Sequence, residues 1–159
     1  MKRLIKEFIG NIGLLELPKT AFLCSRRVPA NVVLKCYDWA IEQREASNCV
    51  ISGFHSQLEK DVLHYLLKGQ QPIIVALARG LKKQIEPELK DAFTQGRLLI
   101  ISPFDKDVTR VIEETADLRN NLMINLADNV VVGFANNGGR LIKLLKEKAK
   151  SKMITYLDE

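Results

Sequence analysis

Six short stretches of this chain, residues 20–24, 48–52, 72–77, 97–102, 129–134 and 152–156, carry their apolar residues in runs rather than in alternation with polar ones. A strand of that kind has to be buried on both faces, which requires a sheet covered by helices on both sides. The intervening segments supply those helices. Pro29 can open one at its first position, running to about Ala46. Residues 57–68 set Leu58, Val62, Leu63, Tyr65, Leu66 and Leu67 at helical spacing, and Gly69 ends the run. Residues 106–127 read as a third helix, with a break allowed for near residues 118–120, and residues 139–149 as a basic fourth. Strands and helices in steady succession imply right-handed crossovers between parallel strands. The expected architecture is therefore α/β: a Rossmann-like three-layer fold with a mostly parallel sheet, in a single domain over residues 20–159. Residues 1–19 fall outside the pattern and read as a short helical lead-in.

Composition narrows the function classes. With 159 residues, 47% hydrophobic and 27% charged, the chain has the make-up of an ordinary globular protein with a real core. Its longest apolar stretches, such as residues 73–78, fall far short of the roughly 20 residues that cross a bilayer, so no membrane association is expected. The basic opening Met1-Lys2-Arg3 leads into no continuous apolar segment or small-residue cleavage site, so no secretory signal is expected. Cys24, Cys36 and Cys49 form no CxxC pair. Read as buried free thiols, without a metal cluster or disulfide framework, they fit a reducing, cytoplasmic setting. A net charge of +5 and a pI near 9.2 tilt the chain mildly towards polyanionic partners.

In an open parallel sheet, ligands gather beyond the carboxyl ends of the strands. Those ends read Cys24-Ser25-Arg26-Arg27, Ser52-Gly53-Phe54-His55-Ser56, Ala78-Arg79-Gly80, Ser102-Pro103-Phe104 and Asn136-Asn137-Gly138-Gly139. Two of them, at Gly53 and at Gly138-Gly139, run from strand through a glycine turn into a helix, which aims backbone N–H groups at a point where phosphate can sit. Arginine adds bidentate donors. No nucleophile stands beside an evident base, so the set reads as a binding crevice without catalytic residues. It requires no cofactor and no metal.

Several of these residues have a second reading. Ser56 and Glu59 fit a capping box at the start of a helix, against a catalytic carboxylate for Glu59. His55 is either an exposed loop residue or a ligand contact, and His64, in an apolar helix, reads as structural. Arg26 and Arg27 are either solvated or anion-binding. Arg79-Gly80 and Asn137-Gly138-Gly139 also suit plain turns. The basic run Arg140, Lys143, Lys146, Lys148 and Lys150 reads either as a solvated helix face or as a nucleic-acid contact. Arg119-Asn120-Asn121 is harder to place on a surface, because Leu122, Met123, Ile124 and Leu126 follow it. A guanidinium drawn inwards by that apolar face needs an anion or a carboxylate, with Asp117 the nearest in sequence.

The order of these segments carries a family resemblance. Cys24-Ser25-Arg26-Arg27, then the run from Ile51-Ser52-Gly53-Phe54-His55 to Lys60, then Gly96-Arg97-Leu98-Leu99-Ile100-Ile101-Ser102-Pro103-Phe104, then Arg119-Asn120-Asn121-Leu122-Met123-Ile124, then Val130-Val131-Val132-Gly133-Phe134 resemble the DprA/Smf family, in particular its short stand-alone members. The resemblance covers residues 22–156. It implies a DNA-processing protein that binds single-stranded DNA, with a free nucleotide as the alternative ligand. It also implies a recombinase as a partner and assembly as a homodimer. The family's Gly-Ser-Arg motif maps onto Cys24-Ser25-Arg26, its Ser-Gly loop onto Ser52-Gly53-Phe54-His55 and its Arg-Asn-Arg motif onto Arg119-Asn120-Asn121. Cys24 replaces a glycine and Asn121 a basic residue, while Gln57 and Glu59 stand where family members usually carry Gly and Asp. The wider superfamily includes phosphoribohydrolases marked by Pro-Gly-Gly-x-Gly-Thr before a catalytic Glu. Here the corresponding residues are Asn137-Gly138-Gly139-Arg140-Leu141-Ile142, against that activity.

Overall fold

The computed structural model describes residues 4–159. Seven strands form one sheet: β1 (Glu7–Gly10), β2 (Lys19–Leu23), β3 (Cys49–Ser52), β4 (Ile73–Ala76), β5 (Leu98–Ser102), β6 (Asn129–Val132) and β7 (Met153–Tyr156). Five α-helices accompany them: α1 (Ala30–Glu45), α2 (Gln57–Leu67), α3 (Lys90–Thr94), α4 (Glu113–Leu126) and α5 (Arg140–Lys148). The sheet order is β1-β5-β4-β3-β2-β6-β7, and every pairing is parallel except that of β1 with β5.

Each inner strand deals its side chains alternately to two cores, as the pleat dictates. Ala21 and Leu23 of β2, with Leu99 and Ile101 of β5, meet α4 and α5; Phe22, Leu98 and Ile100 meet α1, α2 and α3. The expected three-layer α/β fold is thus present. On the second face Phe22 stacks on Trp39 at 4.9 Å, and Tyr37 on α1 donates a hydrogen bond to Asp61 on α2 at 2.7 Å. No helix among the described residues is long and apolar enough to cross a membrane.

The structure departs from expectation in the short or polar segments. The lead-in is not a helix throughout: residues 7–10 form an edge strand and Ile12–Glu16 a 3-10 turn. Half-exposed, flanked by Lys6 and antiparallel to its neighbour, β1 has too short and mixed a pattern to read as a strand, and it draws its order from the ready-made edge of β5. The single turn of α3 is likewise too short for a helical period to show in the sequence. The third expected helix begins at Glu113 rather than at residue 106, and passes residues 118–120 unbroken. The Thr115 hydroxyl, accepting the Ile112 N–H and donating to the Ile112 carbonyl, sets its start.

From β2 the chain steps outward through β3, β4 and β5, then crosses back to place β6 on the other side of β2. The loops leaving β2 and β6 lead to helices on opposite faces, α1 and α5, and part as they do so. Doubly wound sheets bind ligands at such a switch point.

Candidate anion-binding crevice

The loops that part after β2 and β6 are tied together at their roots. Gly133 N–H donates to the Leu23 carbonyl at 2.9 Å, Ser25 N–H to the Phe134 carbonyl at 2.8 Å, and Asn136 N–H to the Ser25 hydroxyl at 3.2 Å. Beyond these bonds opens a crevice of about 600 Å³, closed by the turn after β3 and by the first turns of α4. Its charged walls are Arg26, Arg27, Arg119 and Arg140 against Glu59, Glu113 and Asp117.

Arg119 is the unusual member. Its side chain is buried, with only 6% of the residue exposed, yet no carboxylate forms an ion pair with it among the described residues. Asp117, its nearest acidic neighbour in sequence, binds Arg140 instead, and Arg140 also reaches Glu113 at 3.0 Å. Arg119 Nε donates to Asn120 Oδ1 at 2.8 Å and Nη1 to the Ala76 carbonyl at 3.3 Å. Nη2 donates to no acceptor among the described residues and is not sealed in, and the residue lines two cavities. Burial lowers the guanidinium pKa, and the Glu59 charge opposes that shift. Burying a charge without an ion-pair partner is costly, and this one keeps donors unused by the protein.

Gly53 makes that position possible. A β-carbon on it would stand 2.0 Å from Arg119 Nη1 and 2.5 Å from Cζ, so the guanidinium occupies the space where a side chain would otherwise be. Ser52 anchors the same turn: its hydroxyl, wholly buried, donates to the Phe22 carbonyl at 2.9 Å and accepts from Phe54 N–H at 3.3 Å. Phe54 sits at φ 47°, a conformation that costs a bulky residue energy and is held here by its burial.

The two glycine turns differ in what their amides can still do. At the start of α2 the Glu59 carboxylate accepts from His55 N–H at 3.2 Å and Ser56 N–H at 3.0 Å, and Ser56 Oγ caps Glu59 N–H in return. The capping box occupies that turn, so its amides hold the protein's own carboxylate rather than awaiting an anion. At α5, Gly139 caps without any side-chain bond, and Gly139, Arg140 and Leu141 border the crevice. The first turn's helix dipole is partly answered and the second's is not.

Of the residues singled out from the sequence, Ser25, Arg26, Arg27, His55, Ser56, Arg119, Asn120 and Gly139 line the crevice. Gly53, Phe54 and Arg79 line an adjoining cavity of about 480 Å³, whose wall is shared through His55, Val111 and Arg119. Ser52, Gly80, Asn121, Asn137 and Gly138 border neither. Gly80 is buried against residues 105–108, and Asn121 receives the Asn125 amide at its carbonyl. His55 is largely exposed; partial burial and then the Arg119 charge lower its pKa. His64 is exposed on the last turn of α2 rather than packed inside. Asn136, from the loop after β6, and Asp117, the acidic neighbour of Arg119 in sequence, line the crevice too, as do Val111, Glu113 and Leu141, which carry no local motif. Arg140 stands in the sequence as the first member of a basic run.

No family model matches this chain, and no curated protein matches it. Solved structures do. DNA processing protein A from Helicobacter pylori, studied for its single-stranded DNA binding mode, aligns over 96% of this chain and 74% of its own with a TM-score of 0.72 at 21% identity. DNA processing protein A (DprA) from Streptococcus pneumoniae aligns over 94% of this chain with a TM-score of 0.76 at 17% identity, and this chain spans about half (53%) of that protein. The molybdenum cofactor binding protein of Rippkaea orientalis aligns over 87% of this chain and 75% of its own, with a TM-score of 0.58 at 12% identity. What these proteins share with this chain is the Rossmann-like fold.

Proposed function

We propose that this protein binds single-stranded DNA, taking a backbone phosphate on Arg119 within the switch-point crevice, and that it acts by binding rather than by catalysis. The carrying observation is the buried Arg119 guanidinium, which lines the crevice and whose Nη2 has no acceptor among the described residues. Ser25, Arg26, Arg27, the uncapped start of α5 and the free face of His55 surround the same space and supply donors of the phosphate-binding kind. The fold shared with two DNA processing proteins, one studied for its binding of single-stranded DNA, supports the choice of ligand. Dimer formation and contact with a recombinase belong to this reading as proposals of their own, open to sedimentation and pull-down with the purified partners.

A titration of a fluorescent oligonucleotide followed by polarisation tests the reading. Binding at low salt that weakens steeply as salt rises supports it, because neutralised phosphates release counterions. Absence of binding at low salt rules it out.

One observation favours a second reading, a free nucleotide. Glu59, Glu113 and Asp117 line the crevice beside the arginines, and three carboxylates repel an extended polyanion more than a single phosphate. A thermal shift with mononucleotides and none with oligonucleotides would select it.

A further inference from the structure

Two thiols meet in the wall of the crevice. Cys24 follows β2 and lines the crevice, half-buried, while Cys36 lies on α1, fully buried. Both sulfurs converge on Gly133: a β-carbon there would stand 2.8 Å from Cys36 Sγ and 3.0 Å from Cys24 Sγ. The absent side chain leaves the space that the two sulfurs share. The Cys36 thiol alongside, aided by burial, raises the pKa of Cys24, and the Cys24 thiol in turn lowers that of Cys36. The pair therefore gives up a first proton more readily than a second. Cys49, the third thiol, has no such neighbour, and burial pushes its pKa up to about 11.

We propose that Cys24 and Cys36 form a modification site: a hydroperoxide oxidises them to a disulfide, a small dithiol reduces them again, and the disulfide weakens anion binding in the crevice. Peroxide reaches the pair through the crevice, where Cys24 is accessible. The Cys36 thiolate takes the Cys24 proton as the Cys24 sulfur attacks one peroxide oxygen. The S–O bond forms, the O–O bond breaks, hydroxide leaves, and Cys24 becomes a sulfenic acid. Cys36 then gives up its proton and attacks that sulfur. The S–S bond forms, the S–O bond breaks, and hydroxide leaves with the proton as water. The two sulfurs lose two electrons and hydrogen peroxide accepts them.

A disulfide brings its sulfurs to about 2 Å. Closing to that distance draws Cys24 towards α1, and Ser25 and Arg26 follow it in the chain. Ser25 carries the bonds that tie the two loops, through its N–H to Phe134 and its hydroxyl from Asn136. The effect on binding rests on the function proposed above; the disulfide itself does not.

The full chain is treated with hydrogen peroxide, the remaining thiols are alkylated, and peptides are mapped by mass spectrometry without reduction. Free thiols are expected to fall from three to one, with Cys24 and Cys36 in one cross-linked peptide, Cys49 alkylated, and dithiothreitol reversing the change. Cross-links through Cys49, or oxidation of Cys24 without a cross-link, would overturn the site. Oligonucleotide affinity of the oxidised protein should fall several-fold and recover on reduction, and a Cys24→Ser variant should be indifferent to peroxide. Unchanged affinity with the disulfide fully formed refutes the coupling. If the reduced protein binds no oligonucleotide at all, the function proposed above fails while the peptide map still decides the disulfide.

Discussion

Arg119 concentrates the tension of this fold in one residue: a buried charge, two hydrogen bonds, and a third nitrogen without an acceptor among the described residues. Replacing it with methionine removes the charge but keeps most of the volume. Arg119→Met should leave the melting temperature unchanged or raised, since a buried charge without an ion pair gives little stability. The same variant should bind oligonucleotide tenfold to a hundredfold more weakly, the worth of a charged hydrogen bond at about 1.5–3 kcal/mol. Calorimetry and polarisation on one preparation check both halves; parallel losses would mean that Arg119 is structural. Gly53→Ala offers an independent probe. The new methyl group meets the flexible end of Arg119, so the guanidinium should shift and binding should drop while the fold persists by circular dichroism. His55 adds a pH signature. Partial burial and the Arg119 charge depress its pKa in the free protein, so the unfolded chain holds the proton more tightly. Its contribution to stability is present above the unfolded pKa of about 6.5 and is lost as pH falls from there through the lower folded-state pKa. A bound phosphate masks Arg119 and gives the imidazolium a partner. Binding should therefore take up a proton and tighten as pH drops from about 7 to 5.5, and His55→Asn should flatten that profile.

At the level of elements, the start of α2 had a cap legible in the sequence, Ser56 with Glu59 three residues on, and the capping box is present. Local bonding suffices there, because donor and acceptor lie within one turn of each other. The start of α4 is hidden in the sequence because residues 106–112 mix charged and β-branched residues and lack a cap of the usual kind: Ile112 precedes the helix and Thr115 sets its first turn. The Glu59 carboxylate has a double position, capping α2 while lining the crevice. Glu59→Ala should cost about 1 kcal/mol, read as a fall of about 2–4 °C in melting temperature. Glu59→Gln keeps an acceptor oxygen and removes the charge, so it should hold most of that stability and bind oligonucleotide more tightly. A Gln variant that binds more weakly would mean that the carboxylate contributes to the ligand site rather than opposing it.

For the whole molecule, the salt dependence of binding separates one phosphate from many. A single phosphate on Arg119 gives a shallow slope of log affinity against log salt, about 0.7 for a single strand, whereas contacts extending over Arg26, Arg27 and the basic face of α5 steepen it towards 3 or more. Strands buried on both faces were readable from the chain because an unbroken apolar run can be satisfied only between two helical layers, and the runs at β2 to β6 are of that kind. Edge strand β1 was not readable, since its partner β5 lies about ninety residues away and supplies the order that its own four residues lack. The site divides in the same way. Ser25, Arg26, Gly53 and Arg119 could be chosen from the sequence by residue type and by their places at strand ends and in a helix. That Arg119 lies on Gly53, that Asp117 turns to Arg140 instead, that Glu59 fills one turn while the other stays open, and that Cys24 meets Cys36 against Gly133 were decided by the tertiary structure alone. Burial and chain periodicity are properties of single segments, so the sequence determined the layers. Contacts between side chains from different crossovers depend on where the sheet reverses its strand order, and only the folded sheet brings those loops together.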